Sequence, residues 1–143
     1  MAHDRAERAL AAIRANGGRI TSDRRAIIEA LATGSDHPTV EELAERVWKR
    51  HPDVNLATIY RTVELLENLG IGFHVHMGHG PSRWHLSDEV HQHLVCSACG
   101  AVLDVPDDVL DPLREQIAAA TGFVLDAHHF SLTGTCAACS KVA

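Results

Sequence analysis

Two Cys-x-x-Cys motifs constrain the fold of this chain more than any other feature of its sequence. One is CSAC at residues 96–99 and the other is CAAC at residues 136–139, and together they use every cysteine. In such a turn both sulfurs can face one ion about 2.3 Å away, and two turns complete a tetrahedron of thiolates. The spacing therefore predicts a zinc site that ties the two ends of a C-terminal lobe together, formed by Cys96, Cys99, Cys136 and Cys139.

We expect this zinc site to be structural. Four thiolates leave no open position for water, so the ion cannot activate a nucleophile. In a small lobe the free energy of metal binding becomes folding free energy. A redox dithiol or buried thiols remain alternatives. Disulfides are disfavoured because the start, MAHDRAERAL, has no apolar signal segment, and thiols stay reduced in the cytosol.

The charge is unevenly distributed along the 143 residues. The net charge is −6, but residues 1–86 hold eleven basic and eleven acidic residues, whereas residues 87–143 hold two basic and eight acidic ones. Only the first part is therefore suited to approach a polyanion such as DNA. The sequence has no apolar run of bilayer-spanning length, so we expect a soluble, cytoplasmic protein without a membrane partner.

Residues 1–86 are predicted to form four short helices and a hairpin. Thr39 and Glu42 give a capping-box pattern for the third helix, and Asn55 caps the fourth, LATIYRTVELLENLG. Helical periodicity leaves Tyr60 and Arg61 facing outward. The segments GFHVHM and SRWHLS then alternate as two strands. The order predicts a winged helix-turn-helix; the alternative is an ordinary helical domain with a surface hairpin.

The C-terminal part is predicted to be a small α/β lobe. Residues 87–91 are short and acidic and form the expected hinge, and residues 92–143 form the second domain. The segments HQHLVC, AVLDV and FVLDAHHFSLTG predict strands, and DDVLDPLREQIAAATG predicts a helix with Pro112 in its first turn. The fold class is therefore α+β.

Histidines supply a second set of candidate ligands. The chain has eleven, and two pairs stand at i and i+2, so each pair points to one face of a strand: His74 with His76, and His91 with His93. Imidazole and carboxylate donors suit zinc, nickel, cobalt, Fe(II) or Mn(II), and the spacing does not choose among them.

With the Thr21-x-x-Arg24 element, the helix ATIYRTVELLENLG, the segment HQHLVCSACG and the terminal CAAC in this order, residues 8–140 resemble the ferric uptake regulator family. The resemblance implies a metal-dependent transcription factor, usually a repressor. It also implies an N-terminal winged-helix domain, a small α/β dimerisation domain with a four-cysteine zinc site, and binding of AT-rich palindromic operator DNA as a homodimer. By the same resemblance, Arg19, Tyr60 and Arg61 contact the DNA.

The resemblance also implies a regulatory metal site between the domains. Its ligands fall on His37, His85, His91, His93 and Asp104. Histidine at position 85 replaces the acid of iron regulators, while Asp104 matches peroxide-sensing members that use iron or manganese. A further family site draws on Val90, Gln92, Asp111 and His128, and we expect it to be incomplete because the first two are poor ligands.

The wing sequence HVHMGHG resembles the nickel-responsive branch of the family, in which wing histidines and a histidine of the last strand bind nickel. These positions are His74, His76 and His129. The expected cofactors are therefore structural zinc and a second divalent metal, with nickel preferred over iron, manganese or zinc.

The expected mechanism is that histidines of both domains hold one ion and so fix the spacing of two recognition helices in the dimer. A hydrolytic metalloenzyme is disfavoured because the sequence has no HExxH helix or paired nucleophile and base. Three further alternatives remain: a DNA-binding protein whose only metal is structural, an iron- or manganese-dependent peroxide sensor of the same family, and an iron- or zinc-uptake regulator of that family.

Overall fold

The computed structural model describes residues 1–34, 36–76, 80–86, 91–126 and 131–141, and it confirms an α+β chain in which helices precede a small sheet. The helices come first: α1 (Ala2–Ala15), α2 (Ser22–Ala32), α3 (Val40–Trp48) and α4 (Leu56–Asn68). Two strands follow and pair with each other, β1 (Gly72–Val75) and β2 (Arg83–Leu86). The remaining elements are β3 (His91–Cys96), β4 (Val102–Pro106), a 3-10 turn (Asp107–Leu110), α5 (Asp111–Thr121), β5 (Ser131–Gly134) and α6 (Ala137–Ser140).

The chain divides into two compact units. One comprises Met1–His74 with Ser82–Asp88, and the other comprises Val75–Pro81 with Glu89–Ala143. Of the predicted hinge, residues 87–90 lie outside the described residues. The predicted domain limits, 1–86 and 92–143, therefore stay a prediction.

Helices α2, α3 and α4 of the first unit each begin at a residue whose side chain caps the helix. The Thr21 hydroxyl accepts the N–H of Arg24, and the Asn55 side chain accepts the N–H of Ala57. Thr39 and Glu42 form the predicted capping box at the start of α3. These bonds satisfy backbone donors that a helix start leaves without partners. The apolar faces of the four helices then meet in one core, centred on residues such as Leu10, Ile27, Leu43, Ile59 and Leu66.

The second unit is built on a three-stranded sheet in the order β4-β3-β5. β3 pairs antiparallel with β4, so that His93 faces Asp104. β3 also pairs parallel with β5, so that Cys96 faces Gly134. Because β3 and β5 run in the same direction, the CSAC turn after β3 and the CAAC segment after β5 emerge at the same end of the sheet.

Two of the elements predicted for this unit are shorter than the sequence suggested. The segment DDVLDPLREQIAAATG is not one helix, since a 3-10 turn precedes α5. Pro112 explains this break, because proline is tolerated in the first turn of a helix and not in its interior. Within the described residues of the segment FVLDAHHFSLTG, which exclude residues 127–130, the strand comprises Ser131–Gly134. The apolar start of that segment misled the prediction: Phe123 and Val124 form no strand and are exposed.

The one-turn helix α6 was not predicted at all. Cys136 stands at its start, and the N–H of Ser140 bonds to the carbonyl of Cys136. Among the residues that the structure describes, no helix combines the length and apolar character that crossing a bilayer requires.

Candidate metal centres

The four cysteines lie together at the end of the sheet in the second unit. One ligand atom from each lies within 4.8 Å of the others, and Cys99 Sγ is 3.8 Å from Cys136 Sγ. A tetrahedral zinc ion with bonds of about 2.3 Å requires sulfurs roughly 3.8 Å apart. All four cysteines are described, and all four are free thiols. The separation fits a tetrahedral thiolate site.

Backbone hydrogen bonds hold the first turn of this cluster in place. The N–H of Gly100 bonds to the carbonyl of Cys96, and Gly100 has a φ of 75°, a conformation that glycine adopts without steric cost. The N–H of Ser97 bonds to the carbonyl of Gly134, which joins this turn to the end of β5. The second CxxC begins two residues later, so the same bond brings the two motifs together.

The pKa values of the thiols indicate that the cluster needs a cation. Backbone N–H groups of Cys136 and Cys99 lower the pKa of Cys96 to about 6, and the N–H of Cys136 lies 3.3 Å from Cys96 Sγ. The neighbouring thiols of Cys136, Cys99 and Cys96 raise the pKa of Cys139 to about 12. At neutral pH Cys139 therefore keeps its proton unless a cation is bound nearby, and a four-thiolate donor set fits zinc.

A second cluster in the same unit contains His91, His93 and Asp104. Ligand atoms of the three lie within 4.8 Å of one another, and the two imidazole rings are 4.8 Å apart, edge to face. His93 is only 1% exposed, and its Nδ1 donates to Asp104 Oδ1 at 2.8 Å. Burial lowers the pKa of His93, and the Asp104 carboxylate opposes this shift. The ring is thus held neutral, the form that binds metals.

The first unit holds the two predicted ligands His37 and His85. Their rings meet edge to face with centroids 4.8 Å apart. His37 is buried in the segment before α3, and His85 lies in β2, where Phe73 of β1 flanks it at 6.1 Å. The structure thus brings these two histidines together within their own unit.

The predicted nickel ligands can be described only in part. His74 lies in β1, its Nδ1 donates to a carboxylate oxygen of Glu67 in α4, and its ring lies 5.3 Å from that of Trp84. His76 follows β1 and is exposed. His129 lies outside the described residues, as do Val90 and His128 of the further family site.

The predicted DNA-binding residues are on the surface of the first unit. Tyr60 and Arg61 are exposed on α4, as the helical periodicity predicted, and the Tyr60 hydroxyl donates to Glu41 at 2.9 Å. Arg19 is exposed in the turn before α2, where its carbonyl accepts a hydrogen bond from the Arg24 side chain.

One polar network was missed by the sequence reasoning. Gln92 is 1% exposed and donates through Nε2 to Asp107 at 2.5 Å. Arg114 donates to the same carboxylate and to Asp111. The Arg114 guanidinium therefore bonds to the carboxylates of Asp107 and Asp111. Two residues of this network, Gln92 and Asp111, are positions of the predicted further metal site. The signal available beforehand was the three-residue spacing of Asp111 and Arg114 on one helix face.

Comparison with known proteins decides the family. The model of the ferric uptake regulator family matches residues 15–133. The chain belongs to this family. Ferric uptake regulator proteins are metal-responsive transcription regulators and not enzymes, and that role applies to this chain.

Three relatives place the chain within the ferric uptake regulator family. The peroxide operon regulator of Bacillus subtilis (strain 168) is 30% identical over 141 residues, which cover 99% of this chain and 97% of that protein. The ferric uptake regulator of Vibrio cholerae is 33% identical with a TM-score of 0.69, covering 87% of this chain and 97% of that one. A zinc-bound manganese uptake regulator is 35% identical with a TM-score of 0.66, covering 90% and 98%.

Proposed function

We propose that this protein is a transcriptional repressor that binds palindromic, AT-rich operator DNA as a homodimer when a divalent metal occupies a regulatory site. The observation that carries the proposal is the neutral, buried His93 held by Asp104 beside His91, in a chain of the ferric uptake regulator family. Such a repressor acts on DNA in the cytoplasm, where reduced thiols can hold zinc.

The first unit supplies the DNA-binding surface of this proposal. The order of α2, α3, α4 and the β1–β2 pair is that of a winged helix-turn-helix, in which α4 enters the major groove. Tyr60 offers an apolar ring for thymine methyl groups, and Arg61 offers donors for base edges or phosphate. Arg19 would enter the narrow minor groove of an AT-rich site, which attracts cations.

The second unit supplies dimerisation and structural zinc. Cys96, Cys99, Cys136 and Cys139 would hold the zinc ion and stabilise the end of the sheet. The same unit exposes large apolar side chains: Leu103 is 61% exposed, Phe123 63% and Val124 84%. Apolar surface of this kind marks an interaction face in a folded protein, and a second copy of the chain would cover it.

The regulatory site would draw on both units. We propose His37 and His85 from the first, and His91, His93 and Asp104 from the second, which follows the ligand set of the family. Within each unit the proposed ligands lie close together: the rings of His37 and His85 meet in the first, and ligand atoms of His91, His93 and Asp104 cluster in the second. Holding one ion jointly would favour one relative orientation of the units, and hence one spacing of the α4 helices for two half-sites. A coupling of about 1–3 kcal/mol would change DNA affinity roughly 5- to 150-fold.

Nickel remains our prediction for the sensed metal, from the wing histidines His74 and His76 together with His129. The pairing of His74 with Glu67 is compatible with this, since a carboxylate commonly fixes the ring of a ligating histidine. The relatives named above are regulators of peroxide, iron and manganese responses, so they do not support nickel.

Peroxide sensing is the second candidate function. It is favoured by the 30% identity to a peroxide operon regulator and by an aspartate, Asp104, in contact with His93. In this case the protein loaded with iron and treated with peroxide would gain the mass of one oxygen atom on His37 or His91. Mass spectrometry of the peptides reports that gain, and zinc-loaded protein treated in the same way is the control.

One titration tests the proposed function. Operator binding by the zinc-loaded protein is measured while Ni²⁺, Fe²⁺, Mn²⁺, Co²⁺ or Zn²⁺ is added, at fixed ionic strength because salt alone changes such affinities strongly. We expect at least one metal to raise operator affinity, with nickel strongest. Affinity that stays constant with every metal, at full zinc content, would instead support a DNA-binding protein with structural zinc only.

A further inference from the structure

Arg83 in β2 connects three parts of the first unit. Its Nη1 donates to the carbonyl of His37 at 2.8 Å and to Glu42 Oε2 at 3.0 Å. The same Glu42 oxygen accepts the N–H of Thr39 at 2.9 Å in the capping box of α3. One guanidinium therefore holds the segment before α3, the start of α3, and β2 together.

The segment that contains His37 is bound to β2 at two successive peptide groups. Arg83 donates to the carbonyl of His37, and the backbone N–H of Trp84 donates to the carbonyl of Pro38 at 2.9 Å. The second bond involves only backbone atoms, so it would survive any change of side chain at position 83. The first bond depends on the arginine itself.

Arg83 and His85 lie on the same face of β2 because side chains alternate along a strand. Arg83 holds the backbone of His37, while the ring of His85 meets the ring of His37 at 4.8 Å. One face of β2 thus brings the two histidines together. Arg83 holds the backbone of His37 by a hydrogen bond, and His85 is held by its own place in the strand.

We propose that Arg83 is a positioning residue for the regulatory metal: it orders the His37–His85 half of the site before metal binds and links that half to the start of α3. This inference rests on the proposed function, in which His37 and His85 are ligands. Groups that orient metal ligands typically change metal affinity by about 10- to 100-fold.

The direction in which metal affinity changes distinguishes a positioning role of Arg83 from a direct effect of its charge. Arg83 is a cation, so its charge alone disfavours a divalent ion bound by neighbouring histidines. Removing that charge would strengthen metal binding if nothing else changed. A loss of affinity on removal therefore identifies the lost orientation of His37 as the larger effect.

The test compares four variants of the zinc-loaded dimer in which Co²⁺ is the added metal, followed by its visible absorption and by competition with a chelator. They are Arg83→Gln, Arg83→Lys, His37→Ala and Arg25→Gln. Arg25 is the matched control, since it is a similarly exposed arginine (36% against 34%) that pairs with Glu7 and Glu29 in the same unit.

We expect Arg83→Gln to weaken Co²⁺ binding about 10-fold or more and to change the absorption spectrum. Arg83→Lys should fall between it and the wild type, because the lysine ammonium can still donate a hydrogen bond towards the His37 carbonyl or Glu42 but lacks arginine's planar arrangement of donors. Arg25→Gln should bind as the wild type does. Unchanged or tighter Co²⁺ binding in Arg83→Gln would overturn the inference.

His37→Ala separates this inference from the proposed function. If His37→Ala weakens Co²⁺ binding while Arg83→Gln does not, Arg83 has no positioning role, although the site stands. If His37→Ala leaves Co²⁺ binding unchanged, the proposed ligand set is itself wrong, and the role of Arg83 falls with it.

Discussion

Asp104 accepts a hydrogen bond from Nδ1 of His93 at 2.8 Å, across the β3–β4 pair in which the two residues face each other. A carboxylate on Nδ1 fixes the tautomer of the ring and presents Nε2 for a metal ion. Because burial lowers the pKa of His93, the fold maintains the neutral ring that such an ion requires.

The stability of the protein should depend on pH through His93. Its pKa in the folded state is below the ordinary value of 6.5, so the unfolded chain takes up its proton first. The stabilising contribution is therefore complete above pH 6.5 and is lost as the pH falls below that value towards the folded pKa. Urea unfolding at two pH values, one on each side of this window, measures the loss.

His93→Asn provides the comparison for that experiment, because the asparagine amide can still donate to Asp104 but does not titrate. We expect the variant to lose less stability on acidification than the wild type does, with both proteins carrying zinc only. Equal losses in the two proteins would show that other groups account for the acid sensitivity.

Cys96→Ser should abolish zinc binding and unfold or monomerise the second unit. The change removes one of four thiolates at the end of β3, and the free energy of zinc binding contributes directly to folding of so small a unit. Zinc content by mass spectrometry and dimer content by sedimentation report the result. Ser97→Ala, in the same turn, is the control; a stable dimer of Cys96→Ser would remove the structural role.

Local chemistry explains which elements the sequence could predict. The capping box of Thr39 and Glu42 and the cap Asn55 act within three residues, so their pattern is visible in the chain. The extent of β5 was not visible, because it depends on pairing with β3, nearly forty residues earlier. Phe123 and Val124 looked like strand residues because they are apolar, yet they are exposed.

The candidate sites show the same contrast between local patterns, which the sequence reveals, and contacts between distant residues, which it does not. The paired CxxC spacing was enough to predict that four cysteines meet, since the motif itself carries the geometry. The bond between His74 and Glu67 and that between Arg83 and His37 join residues from different elements. No periodicity within one element encodes such partners, so only the folded structure shows them.

Asp107→Ala should destabilise the second unit by about 1–3 kcal/mol, the usual cost of removing the partner of a buried polar group. The variant removes the acceptor used by the buried Gln92 and by Arg114. Asp108→Ala is a matched control, because Asp108 is the exposed neighbour in the same 3-10 turn. Urea unfolding would contradict the assignment if the two variants were equally stable.

Arg61→Ala should weaken operator binding by about 1–3 kcal/mol if the guanidinium reads a base, and should relax the sequence preference at that base. A phosphate contact would instead lower affinity for all sequences and reduce its salt dependence. Arg50→Ala, at an exposed arginine outside α4, controls for charge. If both variants bind operator DNA equally well, α4 is not the recognition helix.

Metal affinity measured with and without saturating operator tests the central claim most directly. Thermodynamic linkage requires that, if metal raises operator affinity by some factor, operator raises metal affinity by the same factor. For the zinc-loaded dimer we predict equal factors of about 5 to 150 in the two directions, and loss of both when His91 and His93 are replaced by asparagine. Metal affinity that is identical with and without operator would contradict the account.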